Sequence, residues 1–182
     1  RSIDILVNNA GVGVTTELMQ NADPDDWDVI IDTNVKGLLY VTRAILPLMI
    51  ERNKGHIVNI GSTAAHAYYK GGNVYSASKH ALQALTRSLR IDLKGHPLRV
   101  SEVDPGMTRT EFSETRWDKD KAEQFYSDFQ PLVGNDIADA ILYCVTRPPH
   151  VNVAEIIVYP TAQVSPSIVH REGDKHEGAF DT

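Results

Sequence analysis

Four short aliphatic runs, residues 3–7, 56–60, 98–103 and 155–159, alternate with longer stretches of helical periodicity, and this alternation constrains the chain more than any other feature. Strand and helix repeating in this way mark βα units laid on a parallel sheet, an α/β architecture. The first run, Ile3-Asp4-Ile5-Leu6-Val7, is nearly continuous in large apolar residues, the pattern of a strand covered on both faces. It begins the chain with nothing before it to supply that cover, which predicts an N-terminally truncated piece of a larger sheet. The 182 residues, 42% of them hydrophobic, suffice for one core. We read residues 1–170 as the C-terminal part of a single domain and residues 171–182, rich in charge and glycine, as a disordered tail.

Composition closes off several function classes. Lys and Arg number 18 against 24 Asp and Glu, a net charge of −6 that argues against a nucleic-acid partner. No apolar run approaches the ~20 residues of a membrane span, and the first residues lack a signal-peptide pattern. The one cysteine, Cys144, has no partner for an internal bridge, and the chain has no Asn-x-Ser/Thr sequon, so a reducing, cytoplasmic location is expected. Cys144 reads as a small buried hydrophobe. The seven histidines show no metal-ligand spacing, so no metal is expected.

Between the first two strands, Asp23-Pro24-Asp25-Asp26 is a strong helix start: a capping Asp, Pro in the first turn, and acids facing the dipole. The apolar stripe Trp27, Ile30, Ile31, Leu38, Leu39 is interrupted by Asn34, a polar side chain on a core-facing line. A further helix is expected over Leu38–Glu51, bent at Pro47 and stopped by Asn53-Lys54-Gly55. From about Asn73 to Lys94 a long helix carries Tyr75, Lys79, Leu82, Leu85 and Leu89 along one side. Residues 110–130 read as a mobile helical excursion outside the core, and 136–146 as a last short helix.

Ligands of open parallel sheets bind beyond the carboxyl ends of the strands. Here those ends read Asn8-Asn9-Ala10-Gly11, Gly61-Ser62-Thr63, Asp104-Pro105-Gly106-Met107-Thr108 and Pro160-Thr161. Small residues at the first end admit close approach of a ligand to the backbone, and the second offers a hydroxyl. Tyr75 and Lys79, at i and i+4, share a helix face, and a cation beside a phenol favours the phenolate. Ser62 would orient a substrate oxygen, and Asn34 would satisfy its buried amide through water and the lysine, completing a proton path. Taken singly, each piece has a plainer reading. The Tyr-Lys pair reads as a surface pair, Ser62 as a helix cap, Asn34 as a helix kink, and Asn8-Asn9 and Pro105-Gly106 as turns. Their joint order along one sheet edge argues for a site.

As a set, Asn8-Asn9-Ala10-Gly11, Asn34, Ser62, Tyr75-x-x-x-Lys79 and Pro105-Gly106 resemble the short-chain dehydrogenase/reductase family, over residues 1 to about 170. The finer pattern is similar to the branch acting on 3-hydroxy acids and serine with NADP: Asp32-Thr33-Asn34-Val35-Lys36-Gly37, Gly61-Ser62-Thr63-Ala64, Gly71-Gly72-Asn73-Val74-Tyr75 and Thr110-Glu111-Phe112-Ser113. The resemblance implies a Rossmann-like doubly wound parallel sheet. It implies Tyr75 as acid/base, Lys79 lowering its pKa and holding the nicotinamide ribose, Ser62 on the substrate oxygen and Asn34 positioning a relay water. Asn9, Ala10 and Gly11 would line the cofactor, and Pro105, Gly106, Thr108 and Thr110 would meet its nicotinamide end. The reaction implied is hydride transfer between the cofactor and a secondary alcohol or its ketone.

The chain departs from the family in one respect. No glycine-rich phosphate turn is present, since Thr16 stands where a third glycine after Gly11-Val12-Gly13 would fall. The resemblance therefore starts at the family's fourth strand, with the first three strands and the adenosine half of the site absent. The residues that choose NADP over NAD are absent with them. The first strand would then be an apolar edge without charge or proline to protect it, and the chain alone is expected to be unstable and inactive.

For the carboxylate of a hydroxy acid, Arg109 and Arg116 are placed to fold over the site, and Arg116 is the candidate. Alternatives remain: a dehydrogenase of the same fold for a sugar, steroid or acyl thioester, a non-catalytic dinucleotide sensor, or a purely structural domain. The resemblance also implies a homo-oligomer, dimer or tetramer, paired through the helices at 38–51 and 73–94.

Overall fold

In the computed structural model, which describes residues 2–117 and 119–173, the four expected strands form one parallel sheet of order β1-β2-β3-β6. These are β1 (Ile5–Asn8), β2 (Gly55–Ile60), β3 (Leu98–Pro105) and β6 (Glu155–Val158). Two small pairings were not foreseen. β4 (Thr108–Arg109) lies parallel to β5 (Leu132–Val133), and β7 (Gln163–Ser165) pairs antiparallel with β8 (Ile168–Val169). The expected tail lies, from residue 174 onward, outside the described residues.

The sheet is covered on both faces. On one, α6 (Gly134–Val145) brings Ile137 and Cys144 against Val58 and Val103. Cys144 is buried, as expected of a small hydrophobe. On the other, α3 (Asn73–Asp92) lies over Asn59, whose amide donates to Thr86 Oγ1 at 2.9 Å. The register places Asn8, Asn59, Glu102 and Glu155 opposite one another, so one polar row crosses all four strands. Asn8 Nδ2 donates to Asn59 Oδ1 at 2.9 Å, which continues the row to the edge.

β1 lies at the edge of this sheet, as expected, with Ile5 46% and Val7 38% exposed. The edge is better guarded than expected, because Asp4 pairs with Arg52 and Lys54.

Asp23 caps α1 (Pro24–Ile31) by accepting from Asp25 N at 3.0 Å, as the sequence indicates. The expected second helix is not separate from this one. A six-residue π segment, Asp32–Gly37, joins α1 directly to α2 (Leu38–Glu51), and Pro47 sits inside α2 without ending it. Asn53, at φ 48°, turns the chain into β2.

At the far end of the sheet the Arg99 guanidinium donates to the carbonyls of Val145, Arg147 and Val151 at 3.0 to 3.2 Å, closing the C-terminus of α6. Residues 110–130 are not simply an excursion. After α4 (Glu111–Arg116) and α5 (Lys119–Phe125), Tyr126 and Phe129 are buried in a cluster of aromatic rings with Phe125. The Tyr126 hydroxyl meets Ser113 Oγ at 2.8 Å and donates to Thr108 O at 3.1 Å.

Candidate active site

The carboxyl ends of β1, β2 and β3 open onto a cavity of about 1580 Å³. Asn9, Ala10, Gly11, Ser62, Tyr75, Lys79, Pro105, Gly106, Thr108, Thr110 and Arg116 all line it. Other expected positions do not. Pro160-Thr161, after the fourth strand, is replaced there by Gln163, whose Oε1 accepts from Met107 N at 2.8 Å and holds the Pro105-Gly106 turn. Arg109 lies outside, its guanidinium carbon 5.4 Å from the Tyr126 ring centroid.

Asn34 is 1% exposed and lies behind the cavity wall. Its Oδ1 accepts from Val12 N at 2.8 Å, and its Nδ2 donates to Val12 O at 2.9 Å and Ser78 Oγ at 3.0 Å. Protein partners meet this amide in the structure, where the π segment holds it against the Val12 backbone. The kink and the functional reading of Asn34 thus describe one feature.

Tyr75 and Lys79 sit on the buried face of α3, and Lys79 Nζ donates to Ile60 O at 3.0 Å. Burial holds the Lys79 ammonium down, to about 8, with Asp104 and Glu102 pulling the other way. Burial also raises Tyr75 above the ordinary phenol value, against a hydrogen bond with Ser62 and the nearby charge of Arg116. Two cations stand by the phenol: Lys79 Nζ, 5.9 Å from the Tyr75 ring centroid, as the i, i+4 spacing suggested, and the Arg116 guanidinium carbon at 5.0 Å. Ser62 caps the short 3₁₀ turn Thr63–Ala65, its Oγ accepting from Ala64 N at 3.1 Å, so the capping role holds as well.

Sequence reasoning missed the aromatic wall. Phe112 packs 5.7 Å from Tyr75, ring centroid to ring centroid, and Tyr69 receives a hydrogen bond from Arg116 Nη2 at 3.2 Å. Gly13 marks that wall, since a Cβ there would stand 2.8 Å from Phe112 Cζ. Also missed was the support beneath Ser62. Asp104 Oδ1 accepts from Ser62 N at 3.0 Å, and its Oδ2 meets His66 Nε2 at 2.7 Å. The sequence offered Asp104 only as part of a turn. His66, Asp104 and Glu155 come within metal-ligand span, but the His66-Asp104 hydrogen bond and the Arg87-Glu155 ion pair already engage them.

The cavity fits a nicotinamide nucleotide at the end described. Gly11 leaves bare backbone where a Cβ would sit 3.4 Å from Asn34 Oδ1 and 3.6 Å from Lys79 Nζ, so a flat ring or sugar can reach both elements. Lys79 keeps ammonium protons beyond the one given to Ile60 O, suited to ribose hydroxyls.

The family model for short chain dehydrogenase matches residues 1–121. This chain belongs to the short chain dehydrogenase family. The NADP-dependent 3-hydroxy acid dehydrogenase YdfG of Escherichia coli (strain K12) is 45% identical to this short chain dehydrogenase over 175 residues, 94% of the chain and 71% of that protein. Sulfoacetaldehyde reductase 2 of Chromohalobacter salexigens is 46% identical over 166 residues, 90% of the chain and 66% of that protein. Among solved structures, the closed form of serine dehydrogenase complexed with NADP+ superposes with a TM-score of 0.89 at 45% identity, covering 93% of this chain and 70% of that one. The fold expectation, an α/β parallel sheet of the Rossmann-like kind, agrees with that likeness.

Proposed function

We propose that this chain carries the reaction site of an NADP-dependent dehydrogenase that interconverts the secondary alcohol and ketone of a small hydroxy acid, a 3-hydroxy acid or serine. The observation that carries the reading is Arg116. Its guanidinium carbon lies 5.0 Å from the Tyr75 ring centroid, its Nε is buried with no hydrogen-bond partner, and no carboxylate among the described residues pairs with it. A partly buried guanidinium lacking a counter-ion among those residues, and beside the reacting phenol, is suited to a substrate carboxylate. The same cation suits a sulfonate, which gives the likeness to sulfoacetaldehyde reductase 2 a physical basis. The choice of NADP is supported by the named relatives.

When bound, the nicotinamide accepts or returns the hydride. In the reduction direction Ser62 Oγ and the Tyr75 hydroxyl donate to the substrate carbonyl oxygen, and Tyr75, which burial favours as the neutral phenol, gives it a proton; oxidation runs the same step in reverse. Lys79 steadies the phenolate and the ribose, while Asn34 fixes the backbone at Val12 that backs the cofactor end. Arg116 grips the carboxylate and sets which carbon faces the nicotinamide. No helix of the described residues is long and apolar enough to cross a membrane, and a cytoplasmic enzyme is proposed. Exposed Leu39, Tyr40, Leu48 and Ile91 on α2 and α3 support pairing into a homo-oligomer through those helices.

The test is a nicotinamide absorbance assay of the full-length protein with NADP against serine, 3-hydroxy acids, sulfonate analogues and neutral alcohols. Turnover of the acids that falls about 100- to 10,000-fold in Tyr75→Phe is expected. Turnover of neutral alcohols alone would overturn the choice of substrate.

A further inference from the structure

Beneath Ser62, β3 buries two carboxyls on one face, Glu102 at 1% exposure and Asp104 at 0%. Gly61 is pressed against both: a Cβ on it would lie 1.8 Å from Asp104 Oδ1 and 2.8 Å from Glu102 Oε1. The two oxygens of Asp104 are each engaged, one by Ser62 N and one by His66 Nε2. Glu102 is not so served, and its Oε1 is buried without a hydrogen-bond partner. If both carboxyls were ionised, two anions would face each other with no donor between them.

We propose that Asp104 is a positioning residue for Ser62, kept ionised and in place by a proton that Glu102 retains on its carboxyl and donates to Asp104, with His66 as the second side-chain donor. The inference rests on the dehydrogenase reading given above.

The surroundings favour one proton on this pair. From β6 Glu155 adds a third carboxylate, its charge met by Arg87 of α3 at 3.3 Å and by Gln83 Nε2 at 3.2 Å. His66 Nε2 stands 3.8 Å from that same Glu155. Lys79 of α3 contributes a positive charge, Thr86 of α3 a hydroxyl toward Glu102, and Tyr159, after β6, a phenol near Asp104. Burial first, then the Asp104 charge, pushes Glu102 well above the usual carboxylate range; burial and Glu155 push Asp104 up, while Glu102, the Ser62 amide and Lys79 restrain it. Asp104 has its donors, whereas Thr86, beside Glu102, gives its hydroxyl proton to Leu82 O and leaves Glu102 Oε1 without one, which assigns the proton to Glu102. Loss of that proton at alkaline pH sets two carboxylates against each other directly behind Gly61, and Ser62 loses its anchor.

The deciding variant is Glu102→Gln, whose amide N–H cannot titrate away. Tyr75→Phe, run alongside, tests the dehydrogenase reading by itself. In a protein whose turnover Tyr75→Phe abolishes, Glu102→Gln is expected to move the alkaline fall of kcat upward by a pH unit or more. Asp104→Asn, with a donor facing His66, is expected to lower kcat about 10- to 100-fold while the Michaelis constant for NADP stays put. A pH profile of Glu102→Gln that superimposes on the parent's overturns the proposal, as does full kcat in a folded Asp104→Asn.

A second readout needs no activity. A carboxyl whose pKa is raised on folding binds more protons in the folded than in the unfolded state, so its contribution falls as pH rises from the unfolded value toward the raised one. The urea midpoint of Glu102→Gln should therefore gain on the parent's as pH rises through neutrality. A constant difference sinks the inference even where the enzyme reading stands.

Discussion

The Arg116 guanidinium reaches both tyrosines of the cavity wall, donating to the Tyr69 hydroxyl at 3.2 Å and lying 5.0 Å from the Tyr75 ring centroid. On the proposed reading, one cation would couple substrate grip to the acid/base phenol. Arg116→Met keeps the length of the side chain and removes the charge. We expect the Michaelis constant for a 3-hydroxy acid to rise about 10- to 100-fold, the range of a charge-assisted hydrogen bond, while a neutral alcohol of similar size is affected little. Steady-state kinetics on the two substrates decide it, and equal losses on both would remove the carboxylate role.

Asn34 serves Val12 from both sides. Asn34→Ala leaves a buried amide and carbonyl without partners, and a loss of about 3 kcal/mol is expected in urea unfolding. A loss below about 1 kcal/mol would mean that water replaces the amide.

His56 sets an acid limit to stability. Its Nε2 meets Ser101 Oγ at 2.8 Å, and Ser101 gives its own proton to Val153 O, so His56 must be the donor there and its Nδ1 stays bare. Burial, helped by the Arg99 charge, lowers its pKa to about 4. The unfolded chain thus binds more protons between the ordinary histidine value of about 6.5 and 4. Stability from this group is complete above the upper value and is lost as pH falls through the window, on the order of 3 kcal/mol in all. Unfolding of the parent and of His56→Gln across that range measures it; parallel curves would refute it.

Arg99 closes α6 by donating to several carbonyls at once, so Arg99→Met is expected to destabilise the fold by about 2 kcal/mol. It should also relax the histidine, raising the His56 titration seen by NMR. A titration unchanged in Arg99→Met would show that the two do not interact.

The architecture was legible because strand and helix periodicities do not depend on partners. All four strands, the Asp23 cap and the α3 face bearing Tyr75 and Lys79 stand where their patterns put them. Strand-end logic likewise gathered Asn9, Gly11, Ser62 and Pro105 into one cavity, and the search for a carboxylate's counter-charge added Arg116. What local pattern could not give was the identity of distant partners. Asn34 finds Val12 across 22 positions, and Asp104 finds His66 across 38. Tyr126 and Phe129 are buried only because the aromatic segment folds on itself, which a charged local composition conceals. Helix spacing named Lys79 as a neighbour of Tyr75, which it is, but could not show that burial raises the phenol or that Arg116 stands beside it as well.

The π segment at Asp32–Gly37 has a consequence for how this chain tolerates length change. Each residue of an α-helix advances the face by about 100°, and a π turn absorbs one residue beyond that count. Deleting a single residue between Asp32 and Gly37 would restore an unbroken α ladder from Pro24 to Glu51 and rotate one half of the rod against the other. Leu38, Thr42 and Met49 could then keep their buried positions only if Ile30 and Asn34 left theirs. The rod thus works as a fixed phase offset between its two halves, and even a one-residue deletion that favours the α-helix would uncouple them.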